Sequence, residues 1–370
     1  MLPAPSPMLS PGPGPSLARR TAVVGGVLAL VASGTLVVWN AVPALLLLFA
    51  AVLVALLLSG LAGIISRRTG IRYGIALLLS GLLILSVLAG AGWFVGGGLA
   101  EQVAGVGEVL PDGIERIEEL VGSWAGRVGI EEVPPLSESA PSAGDVPGRI
   151  MGVIGGLAGG LSSALFALLL GVFLAADPDT YRRGLLHLVP PARRPRAREV
   201  IATVAAAVRR WLAARLVVMA TTFALTWAGL SLLGVPFSGG LAVLSALVVF
   251  VPYVGPFISG AIAVLVALLE GPQLALYTAL FYLALENVLG LTLEPVVESH
   301  LTAAPPGLLI SAQIVLGFLL GAVGFILASP LVVALTVVVQ MFYVQDVLGD
   351  DTPALGNEDD GDSGGDDADE

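Results

Sequence analysis

The sequence predicts an all-α polytopic membrane protein with about eight transmembrane helices, a small outer helical segment and broken helices in its C-terminal half. The first observation behind this prediction is the composition of the chain. Of the 370 residues, 56% are hydrophobic and only 12% are charged, and the mean hydropathy is +0.94. A soluble domain has roughly a quarter of its residues charged. Lipid is therefore the expected solvent for most of the surface.

Apolar runs long enough to cross a bilayer, which takes about 20 residues, recur along the chain. The predicted spans cover residues 21–39, 43–65, 71–95, 150–176, 216–233, 241–269, 274–293 and 308–339. A tight turn at Asn40 is expected between the first two spans. Pro252 and Pro256 interrupt the sixth span, and the eighth is long enough to tilt or to kink at Pro330.

The spans and the segments between them divide the chain into five regions. These are a disordered N-terminus (1–20), spans one to three (21–98), an acidic extracytoplasmic segment (99–149), spans four to eight (150–345) with a cytoplasmic arginine-rich elbow (177–215), and a disordered acidic tail (346–370). The tail is rich in Gly and Asp and cannot bury enough apolar surface to fold.

Arginine placement predicts the orientation, because basic residues favour the cytoplasmic side of a membrane. Clusters occur before the first span, between the second and third, and after the fourth: Arg19 and Arg20; Arg67, Arg68 and Arg72; Arg182, Arg183, Arg193, Arg194, Arg196 and Arg198. The segment from Leu99 to Arg149 carries 10 acidic residues and 3 Arg and falls on the other side. The prediction is a multi-pass plasma-membrane protein with both termini in the cytoplasm.

Two stretches outside the predicted spans have helical periodicity. An acidic stretch from Asp112 has an apolar stripe that continues to Val128; it could cover the mouth of a pathway or simply pack on a loop or a neighbouring subunit. The stretch from Pro195 to Arg215 has the pattern of a helix lying on the anionic inner leaflet. A solvated elbow before the fifth span explains its pattern equally well.

Several kinds of chemistry are excluded or disfavoured by composition. The chain has no Cys, and all 17 basic residues are Arg, which excludes thiolate chemistry, a P-loop lysine and Schiff bases. With two His residues a multi-histidine metal site is not expected. The motifs of zinc proteases and serine hydrolases are missing, so an enzyme within the membrane is the least favoured hypothesis. No cofactor, metal or nucleic-acid partner is expected.

The C-terminal half contains the candidate substrate- or ion-binding residues. Two prolines and a glycine interrupt the sixth span, and a broken backbone at membrane depth survives only inside protein or beside a wet cavity; transporters use such breaks to bind substrates. A carboxylate in mid-span costs about 2.5–3.5 kcal/mol on insertion scales. The candidate residues are Pro252, Tyr253, Gly255, Pro256, Glu286, Asn287, Glu294 and Gln313. The alternative for the proline break is a simple kink without a binding role. The alternative for Glu294 is solvation at the outer interface of the membrane.

Four stretches together resemble a known family. They are Asp177-Pro178 with Tyr181, Leu233-Gly234-Val235-Pro236, Pro252-Tyr253-Val254-Gly255-Pro256, and Gly321 through Pro330. In this order they resemble the autoinducer-2 exporter family of transporters, also called the PerM-like family, over nearly the whole chain outside its two ends. The resemblance implies eight helices, a homo-oligomer that is a pentamer, and either export of a small solute such as autoinducer-2 or exchange of Na⁺ or Li⁺ for protons.

The predicted function is therefore secondary transport, with the lipid bilayer and a small solute or Na⁺ and protons as partners. In antiport, Glu286 would bind a proton or a cation in turn, because burial among apolar helices favours the protonated carboxylate. In solute export, Tyr253, Asn287, Gln313 and Glu286 would hydrogen-bond a polar molecule. A passive channel or a membrane scaffold is the alternative, because broken helices and glycine-rich faces fit it equally well.

Overall fold

The computed structural model describes residues 15–94, 145–293 and 306–350, and the regular elements in these ranges are all helical. In chain order they are α1 (Pro15–Thr69), α2 (Tyr73–Phe94), α3 (Asp145–Ala176), α4 (Pro178–His187), α5 (Arg194–Leu233), α6 (Ser238–Val248), α7 (Gly255–Leu268), α8 (Pro272–Val288) and α9 (Pro306–Val339). A 3₁₀ turn, Pro191–Arg193, precedes α5, and π-helical turns, Leu289–Leu293 and Gln340–Gln345, extend α8 and α9. The predicted fold class is confirmed, while the predicted outer helix from Asp112 lies outside the described residues.

By length and composition alone, five helical stretches in this part of the chain are sufficient to cross a bilayer: Ser33–Thr69, Tyr73–Gly90, Pro191–Leu233, Pro272–Thr292 and Gly307–Gln345. The last of them contains the reversal at Gly321 described below, so it is not one straight span. The number rises to six if α3 from Ser163 and α4, bent by 86° at Asp177, form one broken span. α6 and α7 have 11 and 14 residues, or about 17 and 21 Å, and are too short to cross alone. The predicted count of eight is therefore not confirmed.

The tight turn predicted at Asn40 is wrong, because α1 continues as one helix of 55 residues through Asn40 and Pro43. A proline inside a helix removes one backbone hydrogen bond, whereas ending a helix in lipid would leave several backbone groups without partners. The apolar run on both sides of Pro43 therefore stays helical. The position predicted for the N-terminus depended on that turn, and it stays a prediction.

The chain divides into two compact units between Leu46 and Leu47. In the first unit the described residues all belong to α1. In the second unit the end of α1 packs with α2 and α3 around a small core of Leu58, Ala62, Ala76, Leu77, Leu168 and Ala175. Gly171 allows a close approach of α3 to α1, since a side chain there would lie 2.8 Å from Val54. The Tyr73 hydroxyl also donates to the Ala175 carbonyl at 3.1 Å, which ties α2 to the end of α3.

Asp177 sets the sharp bend between α3 and α4. Its carboxylate accepts hydrogen bonds from the Thr180 backbone N–H at 3.2 Å and from the Thr180 hydroxyl at 2.6 Å, which caps the N-terminus of α4. Pro178 follows at the first helical position, where a missing N–H has little cost. α5 then runs without interruption for 40 residues from Arg194. The predicted elbow helix and the predicted fifth span therefore form one helix.

α6 and α7 pack against each other as a helical hairpin, here called the first hairpin (residues 238–268), with its turn at residues 249–254. Both helices also contact Tyr282 of α8. The Tyr282 hydroxyl shares a hydrogen bond of 2.9 Å with Ser245 of α6, and the Tyr282 ring lies against Gly260 of α7. The break predicted at Pro252 and Pro256 is thus present, and it reverses the chain instead of merely bending a span.

α9 reverses direction at Gly321 and forms the second hairpin (residues 306–339). Gly321 has φ 68° and ψ −155°, a region that glycine alone adopts readily. Gln313 and Ser329 are hydrogen-bonded at 3.2 Å, although 16 residues of straight helix would separate them by about 24 Å. The arms of the second hairpin are therefore antiparallel. The reversal lies at Gly321 and not at Pro330, where the kink was predicted, because proline cannot supply a positive φ.

Candidate functional site

The turn of the first hairpin is closed around Tyr253 by a very tight backbone arrangement. The Val254 N–H donates to the Pro252 carbonyl oxygen at 2.8 Å, and Tyr253 has φ 66°. A hydrogen bond between residues two apart, around a residue of positive φ, is the strained form of the γ-turn. Strain of this kind persists only when the surrounding structure enforces it, and it concentrates at functional sites.

Gly255 and Pro256 explain how the chain can close this turn. A Cβ atom on Gly255 would lie 2.2 Å from the Val248 carbonyl oxygen, so only glycine fits where α7 returns past the end of α6. Pro256 lies in the first turn of α7, where proline is tolerated because its missing N–H would have no helical partner. The sequence thus permits a reversal that most residues at these positions would prevent.

Arg215 of α5 stabilises the carbonyl end of α6. The residue is 3% exposed, and its guanidinium donates to two carbonyl oxygens, from Nη2 to Val249 at 2.7 Å and from Nε to Phe250 at 3.2 Å. The last carbonyls of a helix have no helical partners and carry partial negative charge. Arg215 therefore neutralises the partial negative charge of the last α6 carbonyls and supplies their missing hydrogen bonds, immediately before the break.

Gln313, on the first arm of the second hairpin, links the two hairpins. It is 1% exposed, and its Nε2 donates to the Pro252 carbonyl at 3.4 Å and to the Ser329 hydroxyl at 3.2 Å. Its Oε1 is also buried and accepts no hydrogen bond from the residues that the structure describes. Such an unsatisfied acceptor costs about 1–3 kcal/mol. A bound molecule that offers a donor, or a cation, would satisfy it.

The Tyr253 side chain makes the second contact between the hairpins. It packs with Ala312 against Leu309, on the first arm of α9, and against Val332, on the second arm. The turn of one hairpin therefore lies against both arms of the other. The arrangement brings together a strained backbone, a free amide oxygen and an aromatic ring, which are groups that bind small polar molecules or cations.

Glu286 and Asn287 lie on α8, beyond the residue that contacts the first hairpin. Glu286 is half-buried and lies one helical turn after Tyr282 on the same helix. Asn287 is exposed and donates from Nδ2 to the Leu283 carbonyl at 2.7 Å, a local bond within its own helix. Glu286 therefore lies one turn beyond the residue that holds the first hairpin, while the amide of Asn287 is engaged within α8.

The structure therefore brings some of the predicted site residues together and separates others. Pro252, Tyr253, Gly255, Pro256 and Gln313 form one cluster where the hairpins meet. Glu286 lies beside Tyr282, and Asn287 faces away from the core. Glu294 lies outside the described residues.

Two residues of this cluster, Arg215 and Ser329, are missing from the sequence-based set. A signal for Arg215 exists, because Val208, Trp211 and Val218 place it on the buried stripe of α5. A cation on an apolar stripe points to a partner inside the protein. Ser329 gives no such signal, since it meets Gln313 only after the reversal at Gly321.

A cation at this site would rely on neutral oxygen atoms. Within residues 15–94, 145–293 and 306–350, no three His, Asp or Glu side chains converge. The Gln313 amide oxygen and the carbonyls of the broken backbone are hard oxygen ligands, of the kind that coordinates Na⁺ in transporters with broken helices. The same oxygens can also accept hydrogen bonds from hydroxyl groups of an organic solute.

Comparison with known proteins gives one family and several partial relatives. A family model described as AI-2E family transporter matches residues 28–343. YhhT of Escherichia coli (strain K12) is 31% identical over 125 residues, which are 34% of this chain and 36% of that protein. YueF of Bacillus subtilis (strain 168) is 31% identical over 102 residues, 28% of each chain. MT0215 of Mycobacterium tuberculosis (strain CDC 1551 / Oshkosh) is 36% identical over 106 residues, 28% of this chain and 29% of that protein.

These relatives are matched over only about a third of their length or less. The names of all three proteins assign them to transport and give no substrate.

Proposed function

Because the chain belongs to the AI-2E transporter family, we propose that this membrane transporter moves a small solute by secondary transport through the site where its two hairpins meet. The observation that carries the proposal is the buried Oε1 of Gln313, which has no donor among the described residues. It lies beside the strained turn at Tyr253. A site that is incomplete without a ligand, at a broken backbone inside a membrane protein, fits a transported solute.

The energy for uphill movement would come from an ion gradient. The chain contains no lysine, so it lacks the phosphate-binding lysine of a P-loop ATPase. Glu286 is the candidate for ion coupling, since a half-buried carboxylate can alternate between a proton and a cation. It lies one helical turn after Tyr282, whose hydroxyl is hydrogen-bonded to Ser245 of the first hairpin.

Two classes of solute are compatible with the proposed site. Autoinducer-2, or another small molecule with hydroxyl groups, would donate a hydrogen bond to Gln313 Oε1 and contact the Tyr253 ring. Alternatively, Na⁺ or Li⁺ would bind Gln313 Oε1 and carbonyls of the break, in exchange for protons carried by Glu286. The single cluster at the hairpins would serve either class, so transport measurements must distinguish them.

We also propose a homo-oligomer in the plasma membrane with both termini in the cytoplasm, and a pentamer is the number that the family resemblance implies. Large apolar side chains next to the hairpin turns support contacts with lipid or with neighbouring subunits. Phe257, beside the break, is 80% exposed, and Phe318, beside Gly321, is 90% exposed.

The Glu286→Gln variant tests the coupling. Purified protein in proteoliposomes that contain a pH-sensitive dye would be given a proton gradient, and Na⁺, Li⁺ and K⁺ would be added outside in turn. We expect Na⁺ or Li⁺ to collapse the gradient in the wild type and Glu286→Gln to lose this response, because an amide cannot carry the proton. The matched control is Glu270→Gln, which changes an exposed glutamate and should behave as the wild type.

Three other outcomes have definite meanings. If no cation moves protons in the wild type, antiport is excluded and the same vesicles are tested for release of autoinducer-2. If Glu286→Gln responds as the wild type does, Glu286 has no role in coupling. If the solute equilibrates without any response to an ion gradient, the protein is a passive channel.

A further inference from the structure

Exposed arginines from three separate segments are brought together on one part of the second unit. This arginine surface is defined as Arg67, Arg68, Arg72, Arg182, Arg183, Arg193, Arg198 and Arg209, all of them exposed. Contacts hold the segments together. The Arg209 side chain packs over Gly60 near the end of α1, and the Tyr73 hydroxyl at the start of α2 donates to the Ala175 carbonyl just before α4.

Most of this positive charge is uncompensated within the described chain. The ion pairs of residues 15–94, 145–293 and 306–350 join Arg182 to Asp179 at 3.9 Å, and Arg196 to Glu199 and to Asp346. None of them involves Arg67, Arg68, Arg72, Arg193, Arg198 or Arg209. The arginine surface is therefore expected to attract an anionic partner.

The C-terminal end of the second hairpin is anchored beside this surface. Arg196, at the start of α5, is 2.8 Å from the Asp346 carboxylate and donates to the Gln345 side chain at 2.8 Å and to the Met341 carbonyl at 3.0 Å. Arg193 and Arg198 are within three residues of Arg196. The chain that follows Asp346 thus starts next to the arginine surface.

The following segment has the complementary charge. Residues 350–370 contain 10 acidic residues and no Arg. A chain of 20 residues with random-coil dimensions has an end-to-end distance of about 25 Å, which is enough to reach the arginine surface from the anchor at Asp346. Attachment to the same chain gives such a segment an effective concentration in the millimolar range.

We propose that residues 350–370 bind the arginine surface of their own chain, with Asp and Glu carboxylates paired to the exposed guanidinium groups. Arginine suits this role, because its fork of N–H groups accepts a carboxylate in bidentate geometry. Bound in this way, the segment keeps anionic lipid headgroups, which attract the same arginines, away from the surface. The proposal stands apart from the transport site, since it involves neither hairpin turn.

A distance measurement between two spin labels tests the proposal on the full-length protein. The chain has no Cys, so Ser363→Cys with Ala192→Cys labels the acidic segment and the exposed turn beside Arg193. We expect short, narrow distances in phosphatidylcholine vesicles at low salt. They should become long and broad at about 1 M salt, where the Debye length is about 3 Å, and in the Arg193→Gln/Arg198→Gln double variant. The control pair, Ser363→Cys with Leu232→Cys at the other end of α5, should stay long throughout.

Two results would overturn the proposal. In the first, the distances between positions 363 and 192 do not change with salt or with the arginine substitutions. In the second, they are already long and broad at low salt in vesicles that contain phosphatidylglycerol, which would assign the arginine surface to anionic lipid.

Discussion

Replacing Gly255 with alanine is expected to destabilise the protein by about 3 kcal/mol, because the new methyl group would collide with a backbone atom. The Cβ position is 2.2 Å from the Val248 carbonyl oxygen and 2.8 Å from the Val249 Cα. Neither atom can rotate away as a flexible side chain can. The turn at Tyr253 would have to open, and the contact with Gln313 would be lost with it. A denaturant titration in mixed micelles measures the change in unfolding free energy.

Gly184→Ala provides the matched control for this experiment. Gly184 lies in α4, is exposed, and has open space where a Cβ atom would be placed. Alanine at a helical position of this kind should be neutral or slightly stabilising. If Gly255→Ala and Gly184→Ala have the same unfolding free energy, the close return of α7 past the end of α6 is wrong.

Replacing Arg215 with methionine is expected to destabilise the protein by about 2–6 kcal/mol, since it leaves the buried Val249 carbonyl and the partly buried Phe250 carbonyl without these donors, at about 1–3 kcal/mol each. Methionine fills a similar volume and is compatible with the buried stripe of α5. The loss therefore reports on the hydrogen bonds to Val249 and Phe250 more than on packing. Heating purified protein and measuring the fraction that stays monodisperse shows the effect as a lower melting temperature.

Two further variants separate the hydrogen bonds of Arg215 from its charge. Arg215→Lys keeps the charge but loses the planar fork, so an intermediate melting temperature is expected. Arg198→Met changes an exposed arginine of the same helix and should leave the melting temperature nearly unchanged. A melting temperature for Arg215→Met equal to that of Arg198→Met would mean that Arg215 does not hold the end of α6.

The break at Pro252 and Pro256 was predictable because its cause is local. In any apolar run, two prolines remove backbone N–H donors from the helix, and a nearby glycine lets the chain reverse. Tyr253 and Gln313 were included in the predicted site as hydrogen-bonding groups for a polar solute, and the structure places both beside this break. The membrane fold class followed from composition alone.

The reversal at Gly321 was not predictable from the sequence, because that stretch contains several glycines and a proline that all weaken a helix. The chain reverses at Gly321 because this position lets Gln313 and Ser329 form a hydrogen bond. That hydrogen bond is a tertiary contact, which the local sequence does not show. The turn expected at Asn40 failed for the opposite reason, since the apolar surroundings keep α1 helical through a single proline.

Gln313 is the residue proposed to receive the transported solute, and its role in transport can be measured directly. The most direct measurement is transport by proteoliposomes that contain Gln313→Leu, tested with autoinducer-2 release and with Na⁺- or Li⁺-driven proton movement, whichever the wild type performs. Gln273→Leu is the matched control, because Gln273 is exposed and its side chain donates to the Tyr277 hydroxyl of its own helix at 2.9 Å. Both variants should first be shown to remain monodisperse.

We expect Gln313→Leu to transport at least about tenfold more slowly than the wild type, a loss of about 1.4 kcal/mol of stabilisation, while Gln273→Leu retains the full rate. This result would place the solute at the contact between the two hairpins. A folded Gln313→Leu protein that transports at the wild-type rate would contradict the account.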